Sequence, residues 1–247
     1  MVVCFSDIRG FTKYCHELQR RALDTRIQHF LTTYFGIYLE ALVRTIHDLR
    51  HSPISNTDRS TPAEERDVHA WLDEVAKLLL PTSYKNLGDG VMIVWELDKA
   101  SHRIVEGLTT RYILEYVQEV AELFHHMFTG LSQAETDAYS ELVSKLRLGF
   151  GLARGHTLRL DFPGKSLPDY SGAVVNLAAR LMNYARPQGI VAQLDFSRSL
   201  LEMKSSDKEG RILTIREIKG MEREEIRVWS SEEVVFPQGI MVPSRRH

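Results

Sequence analysis

The triplet Gly88-Asp89-Gly90 constrains the fold of this chain more than any other feature. It separates two runs rich in β-formers, residues 83–87 and 91–95, and a tight glycine-bearing turn between such runs marks a β-hairpin. Helical patterns lie on both sides of the hairpin. An antiparallel strand pair between helices points to an α+β fold, and 247 residues can bury a core without disulfide or metal staples.

Residues 2–6 read as a strand, entered almost at once through Val2-Val3-Cys4-Phe5, which suggests that further residues precede it. Gly10 breaks this strand, Thr12 is placed to cap a helix, and residues 13–48 carry a helical pattern. Within it Phe30, Tyr34, Ile37, Tyr38, Ala41 and Leu42 recur at three- and four-residue intervals, as a core-facing stripe does. Residues 50–62 are polar and turn-rich. A helix then opens with Thr61 as N-cap, Pro62 at its first position and Glu64 closing a capping box. Val68, Trp71, Leu72, Val75, Leu78 and Leu79 form its apolar stripe, and Pro81 stops it.

After the hairpin, residues 98–128 read as a long helix ended by Gly130, and Ser132-Gln133-Ala134-Glu135 opens another. Strands follow at 146–152 and 156–161, then a projecting loop at 162–168. Residues 173–185 are helical, 189–193 strand, 195–203 helix, and 211–218 with 224–230 a last strand pair. The order is close to a ferredoxin-like βαββαβ core, an antiparallel sheet under helices, with extra helices added. The expected organisation is one domain over residues 1–235, a helical insertion at about 48–83, and a loose tail over 236–247.

Composition excludes several classes. Net charge is −2, so no general attraction to nucleic acid or anionic membrane is implied. No stretch reaches the ~18 apolar residues of a membrane span, and no signal-peptide pattern is present. Cys4 and Cys15 are too few for a disulfide scaffold and read as small hydrophobes, which suits a reducing, cytoplasmic compartment. His125-His126 reads as a polar helix face, Arg20-Arg21 and Arg245-Arg246 as solvated pairs, and Trp71 as core of the inserted helix.

The residues able to carry chemistry are few. Asp7 ends the first strand just before a helix start, whose free N–H groups can hold a phosphate while the carboxylate holds a divalent metal. Asp89 sits at the hairpin tip, and two carboxylates on neighbouring strands can bind two metals. Asn176 and Arg180, four apart, share a helix face from which they can orient a sugar and meet charge on a phosphoryl group. Each also fits a plain structural role: a turn cap, a Gly-Asp-Gly turn, a surface polar pair.

In sequence order, the runs FSDIRGFTKY (5–14), YKNLGDGVMIVW (84–95), LRLGFGLARG (146–155) and DYSGAVVNLAARLMNYARPQGIV (169–191) resemble the class III nucleotidyl cyclase catalytic domain. The resemblance spans about residues 5–230. It implies that the chain converts a nucleoside triphosphate to a 3′,5′-cyclic nucleotide and pyrophosphate with two divalent metal ions, Mg²⁺ or Mn²⁺. Asp7 and Asp89 would hold the metals, joined by the backbone carbonyl of Ile8. Backbone N–H groups at Gly10, Phe11 and Thr12 would hold phosphates. Asn176 would orient the ribose, Arg180 would stabilise the transition state, and Lys219, in Glu217-Ile218-Lys219-Gly220, would bind the triphosphate. It also implies a head-to-tail homodimer with shared sites, the aspartates from one subunit and the Asn/Arg helix from the other.

The base is left open by the same resemblance. Lys85 and Asp169 stand where adenylyl cyclases read adenine, and guanylyl cyclases tend to carry Glu and Cys there, which disfavours GTP. Two departures bear on this: the insertion at about 48–83, and Ala173 in place of an acid common after the glycine. Stand-alone cyclases with such departures resemble the pyrimidine (Pycsar) cyclases of antiphage signalling, so ATP and UTP or CTP both stand. The rival from another class is a catalytically inactive cyclase-like module for nucleotide binding or dimerisation. A diguanylate-forming enzyme would leave Asn176 and Arg180 unexplained.

Overall fold

The structure is a computed structural model that describes residues 1–51, 62–97, 103–129, 138–164, 166–193, 210–216, 218, 225–237 and 241–243. Its first strand, β1 (Val2–Arg9), lies at the middle of the sheet. β2 (Ser83–Asn86) and β3 (Gly90–Trp95) form the expected hairpin, and β3 runs antiparallel to β1. β4 (Arg147–Arg154) pairs with the other edge of β1, also antiparallel. The strand order β4-β1-β3-β2, with α2 (Asp24–Arg50) and α4 (Arg103–Thr129) as the crossings, is the βαββαβ core read from the sequence.

The sheet continues past β4 through β7 (Gly189–Gln193), β9 (Ile226–Ser231) and β8 (Gly210–Ile215). Among the described residues, only the β4–β7 pairing is parallel. At the edge, β10 (Met241–Pro243) pairs with Leu213–Ile215, so the tail expected to be loose contributes a short strand. Here the sequence signal failed because three residues flanked by prolines and basic residues carry no alternation to read. β5 (Leu158–Leu160) and β6 (Asp169–Ser171) form a separate two-stranded ribbon around the expected loop, and β6 had no strand signal of its own.

Alternation along β1 divides the core. Val2, Cys4 and Ile8 join Val91, Ile93 and Trp95 in a core beneath α2 and α4. Val3 joins Met92 and Val94 in a second core on the opposite face, beneath α6 (Ala173–Tyr184). The anticipated stripe of Phe30, Tyr34, Ile37, Tyr38 and Ala41 is buried, with Leu42 packed partly against it. The inserted helix, α3 (Pro62–Leu79), packs on α2 and α4 with Leu72, Val75 and Leu79 buried, and Arg50 reaches Asp73 at 3.0 Å. Thr61 and the side chains of Val68 and Trp71 lie outside the described residues, as do Gly130, residues 132–135 and 195–203, and Lys219.

Two details of the helical reading are corrected. The first helix, α1 (Phe11–Arg20), is capped by Gly10 at φ +87°, and Thr12 lies inside it, exposed. The helical pattern over 13–48 is broken after Arg20. Leu23 N–H donates to Leu18 O and Ala22 N–H to Gln19 O, with Ala22 at φ +55°. These are the bonds of a Schellman ending. Alanine stands where glycine is usual, so no stop signal is visible in residues 20–23.

Packing of α6 on β4 explains the spacing Gly149-Phe150-Gly151. A Cβ on Gly151 would lie 2.0 Å from Met182 N and 2.2 Å from Ala178 O, and one on Gly149 would lie 2.6 Å from Ala185 O. Only bare backbone lets the helix approach this closely. A short helix, α5 (Ala138–Val143), leads into β4.

Candidate active site

Asp7 leaves β1 on the α6 face, at the end of the strand, with Gly90 and Gly149 as its cross-strand neighbours. The Ile8 N–H donates to Asp89 O at 3.2 Å, which locks the hairpin tip beside β1. The two aspartates are thus set side by side by sheet register, as the strand-end and turn positions implied. Both are partly exposed. Immediately beyond, Gly10 turns the chain into α1. The first N–H groups of that helix have no intrahelical acceptor and point from the same end of the molecule.

Asp7 sits among opposing influences. Burial raises the Asp7 carboxyl above its ordinary range, Arg9 lowers it, and the neighbouring Asp89 raises it again. Arg9 Nη1 donates to Asp7 Oδ2 at 2.5 Å, and Nη2 donates to Met182 O at the end of α6. Arg9 Nε is buried with no partner among the described residues, and burial lowers the pKa of its guanidinium. Beneath Asp7, Ser6 Oγ lies 2.6 Å from Tyr38 Oη, which lies 2.6 Å from Tyr34 Oη. This buried hydroxyl chain ties β1 to α2.

Asp7 and Asp89 are hard oxygen donors, and no cluster of three His, Cys, Asp or Glu residues occurs among the described residues. The donor set fits Mg²⁺ or Mn²⁺, which are commonly held by one or two carboxylates with substrate phosphates completing the shell. The Ile8 carbonyl lies next in the chain to Asp7 and can add a backbone oxygen.

Lys85 and Asp169, 84 positions apart, meet directly: Lys85 Nζ lies 2.9 Å from Asp169 Oδ2, and the Tyr170 N–H donates to Oδ1 at 3.0 Å. β2 and β6 supply them, and Ser83 Oγ donates to Pro168 O at 3.1 Å to hold the two segments together. Tyr170 Oη and Arg159 both donate to Glu96 and fix the β5–β6 ribbon to the end of β3. The pair lies on the α6 face, opposite the layer to which α3 belongs.

Solved structures supply the comparison, since no protein-family model and no curated protein matches the chain. The adenylyl cyclase CyaB from P. aeruginosa is similar with a TM-score of 0.55 at 17% identity, covering 98% of this chain and 96% of that one. The guanylyl cyclase Cya2 follows with a TM-score of 0.51 at 14% identity, over 97% and 95%. The catalytic core of a rhodopsin-guanylyl cyclase with converted specificity, in complex with ATPαS, gives 0.51 at 14%, over 93% of each. This is the fold of the class III cyclase catalytic domain.

In this cyclase fold the expected site residues fall into two groups. Asp7, Ile8, Gly10, Phe11, Thr12 and Asp89 gather at one end of β1. Asn176 and Arg180 lie on α6, Asn176 exposed and Arg180 half-buried, and the charges acting on Asp7 are those of Arg9, Asp89 and Arg186. The sequence reading missed a cationic cleft of about 430 Å³ beside Gly10, lined by Arg9, Lys145, Arg147, Arg186, Pro187 and Val235. Its cations come from three separate segments, so no local run of charge announces it. The spacing of Arg9 and Arg147, cross-strand partners in β1 and β4, was the available signal.

Proposed function

We propose that the protein is a nucleotidyl cyclase that converts a nucleoside triphosphate to a 3′,5′-cyclic nucleotide and pyrophosphate. The observation that carries this reading is the pairing of Asp7 with Asp89 beside the open start of α1. Bound there, divalent metal ions would polarise the 3′-hydroxyl and offset charge on the triphosphate. Asp7 and Asp89 would hold them, and Arg9, which is ion-paired with Asp7, would stand beside the bound ions. The N–H groups of Gly10, Phe11 and Thr12 hold phosphate oxygens. The ribose 3′-oxygen attacks the α-phosphorus in line, its proton passes to water, and the bond to the β-phosphate oxygen breaks.

Asn176 and Arg180 act on the site of a second copy. They stand on an outward face of α6 and are free to reach a partner's triphosphate in a head-to-tail homodimer. Arg180 stabilises the charge that develops on the α-phosphoryl group, and Asn176 orients the ribose. Lys85 and Asp169 read the base: a cation that donates and a carboxylate that accepts match the ring-nitrogen acceptor and amino donor of adenine. Cytosine and uracil edges also offer acceptors for Lys85, so ATP, UTP and CTP are the candidate substrates. The rhodopsin-guanylyl cyclase core of similar fold has converted specificity, which supports a base choice that the fold alone does not fix.

The test is direct. Purified protein is incubated with Mn²⁺ or Mg²⁺ and each ribonucleoside triphosphate separately, and the products are identified by mass. Cyclic AMP alone assigns an adenylyl cyclase, and cyclic UMP or CMP assigns a pyrimidine cyclase of the antiphage type. No cyclic product from any of the four overturns the reading.

A further inference from the structure

The cleft beside Gly10 holds more cationic groups than the reaction above employs. Two of its four cations are neutralised in place: Arg9 by Asp7, and Lys145 by Glu141 at 2.6 Å. The other two have no ion pair among the described residues. Arg147 Nη1 donates to the carbonyls of Ser144 and Leu146, and Arg186 Nε donates to the carbonyl of Asn183 at 3.1 Å. The terminal guanidinium nitrogens of Arg186 meet no protein acceptor among the described residues.

The backbone of Arg186 is nevertheless fixed. Its N–H donates to Tyr184 O at 2.8 Å, and its carbonyl accepts the Val235 N–H at 2.6 Å. The side chain leaves this anchored turn at the end of α6 and lines the cleft with Gly10. Its charge is felt at Asp7. A planar, fully ionised fork that is held at its root and open at its tip is suited to phosphate oxygens.

We propose that Arg186 is a further polyphosphate-binding residue of the site built by its own chain, holding with Arg147 the terminal phosphates of the triphosphate and then the leaving pyrophosphate. This rests on the cyclase reading for its place in the reaction, though not for its chemistry. It gives α6 two duties. The outward face carries Asn176 and Arg180 toward the partner's site, and the turn after its C-terminus carries Arg186 into its own. Occupation of one site by polyphosphate thus bears on the helix that completes the other.

Titration calorimetry of the full chain with inorganic tripolyphosphate, without nucleotide, tests the proposal. The wild type binds, Arg186→Gln weakens binding about tenfold, as loss of one charge-assisted contact does, and Arg186→Lys recovers part of it. Arg44→Gln, which removes an ion-paired surface arginine on α2, leaves binding unchanged. Absence of wild-type binding, an unchanged affinity in Arg186→Gln, or an equal loss in Arg44→Gln overturns the proposal. The nucleotide assay fails or succeeds independently, because the tripolyphosphate arm requires no turnover. Where turnover is present, Arg186→Gln also raises the pyrophosphate inhibition constant about tenfold, and an unchanged constant counts against the proposal.

Discussion

Asp7 shows how a single side chain can be legible in type and illegible in state. Its place at a strand end before Gly10 marked it as a candidate, and Asp89 at the hairpin tip marked the second. What the sequence did not carry is the company each keeps. Arg9, two residues on, emerges on the same face of β1 because strand side chains alternate, and it holds Asp7 as an internal cation. Arg9 is in turn kept in place by the Met182 carbonyl, 173 positions away, a contact no local pattern encodes. Replacing Asp7 or Asp89 by Asn keeps the shape and removes one metal-binding charge. Either change should lower turnover at least ~100-fold, since carboxylate–metal interactions contribute several kcal/mol to the transition state. Circular dichroism should be unchanged. Activity within a few-fold of wild type in either variant would remove the aspartates from the mechanism.

At the scale of elements, the strand and helix types were readable because their periods are strong, and their ends were less so. β1, the hairpin and the aromatic stripe of α2 follow directly from alternation and helical spacing. The break between α1 and α2 was hidden by an alanine in a left-handed conformation, and the edge strand β10 by its brevity. Packing between elements has a consequence of its own. Burial raises the phenols of Tyr34 and Tyr38, on α2 beneath β1, above the ordinary phenol value. Burial raises Tyr84 in the same way, and its buried hydroxyl has no partner among the described residues. A raised folded-state pKa leaves stability intact below the unfolded value. Above about pH 10 the unfolded chain ionises these groups while the folded chain does not, and stability falls by about 1.4 kcal/mol per pH unit for each phenol. Thermal midpoints should therefore drop steeply between about pH 10 and 11.5. Tyr38→Phe, which has no phenol to ionise, should show a shallower drop; an identical slope would show that α2 does not sense pH through this residue.

At the scale of the whole molecule, the proposed reaction calls on Asn176 and Arg180 of α6 as well as on Asp7 and Asp89 at the end of β1. The sheet places Asp7 and Asp89 at one end of β1 by register. α6 lies flat on the opposite core, pressed against Gly149 and Gly151, so its outward face is fixed in direction. In the proposed head-to-tail pair each α6 faces the other copy's aspartates, and closed two-fold symmetry then yields two equivalent sites. This arrangement makes a quantitative prediction. Asp7→Ala and Arg180→Ala are each inactive as homodimers. Co-expressed in equal amounts, half of the dimers pair one with the other. Each mixed dimer has one site with both defects and one with neither, so roughly a quarter of wild-type activity should return. Size-exclusion chromatography of the mixture should give the dimer mass throughout. If the mixed sample is as inactive as either parent while dimers form, the sites are not shared, and α6 must serve the site of its own chain by another route.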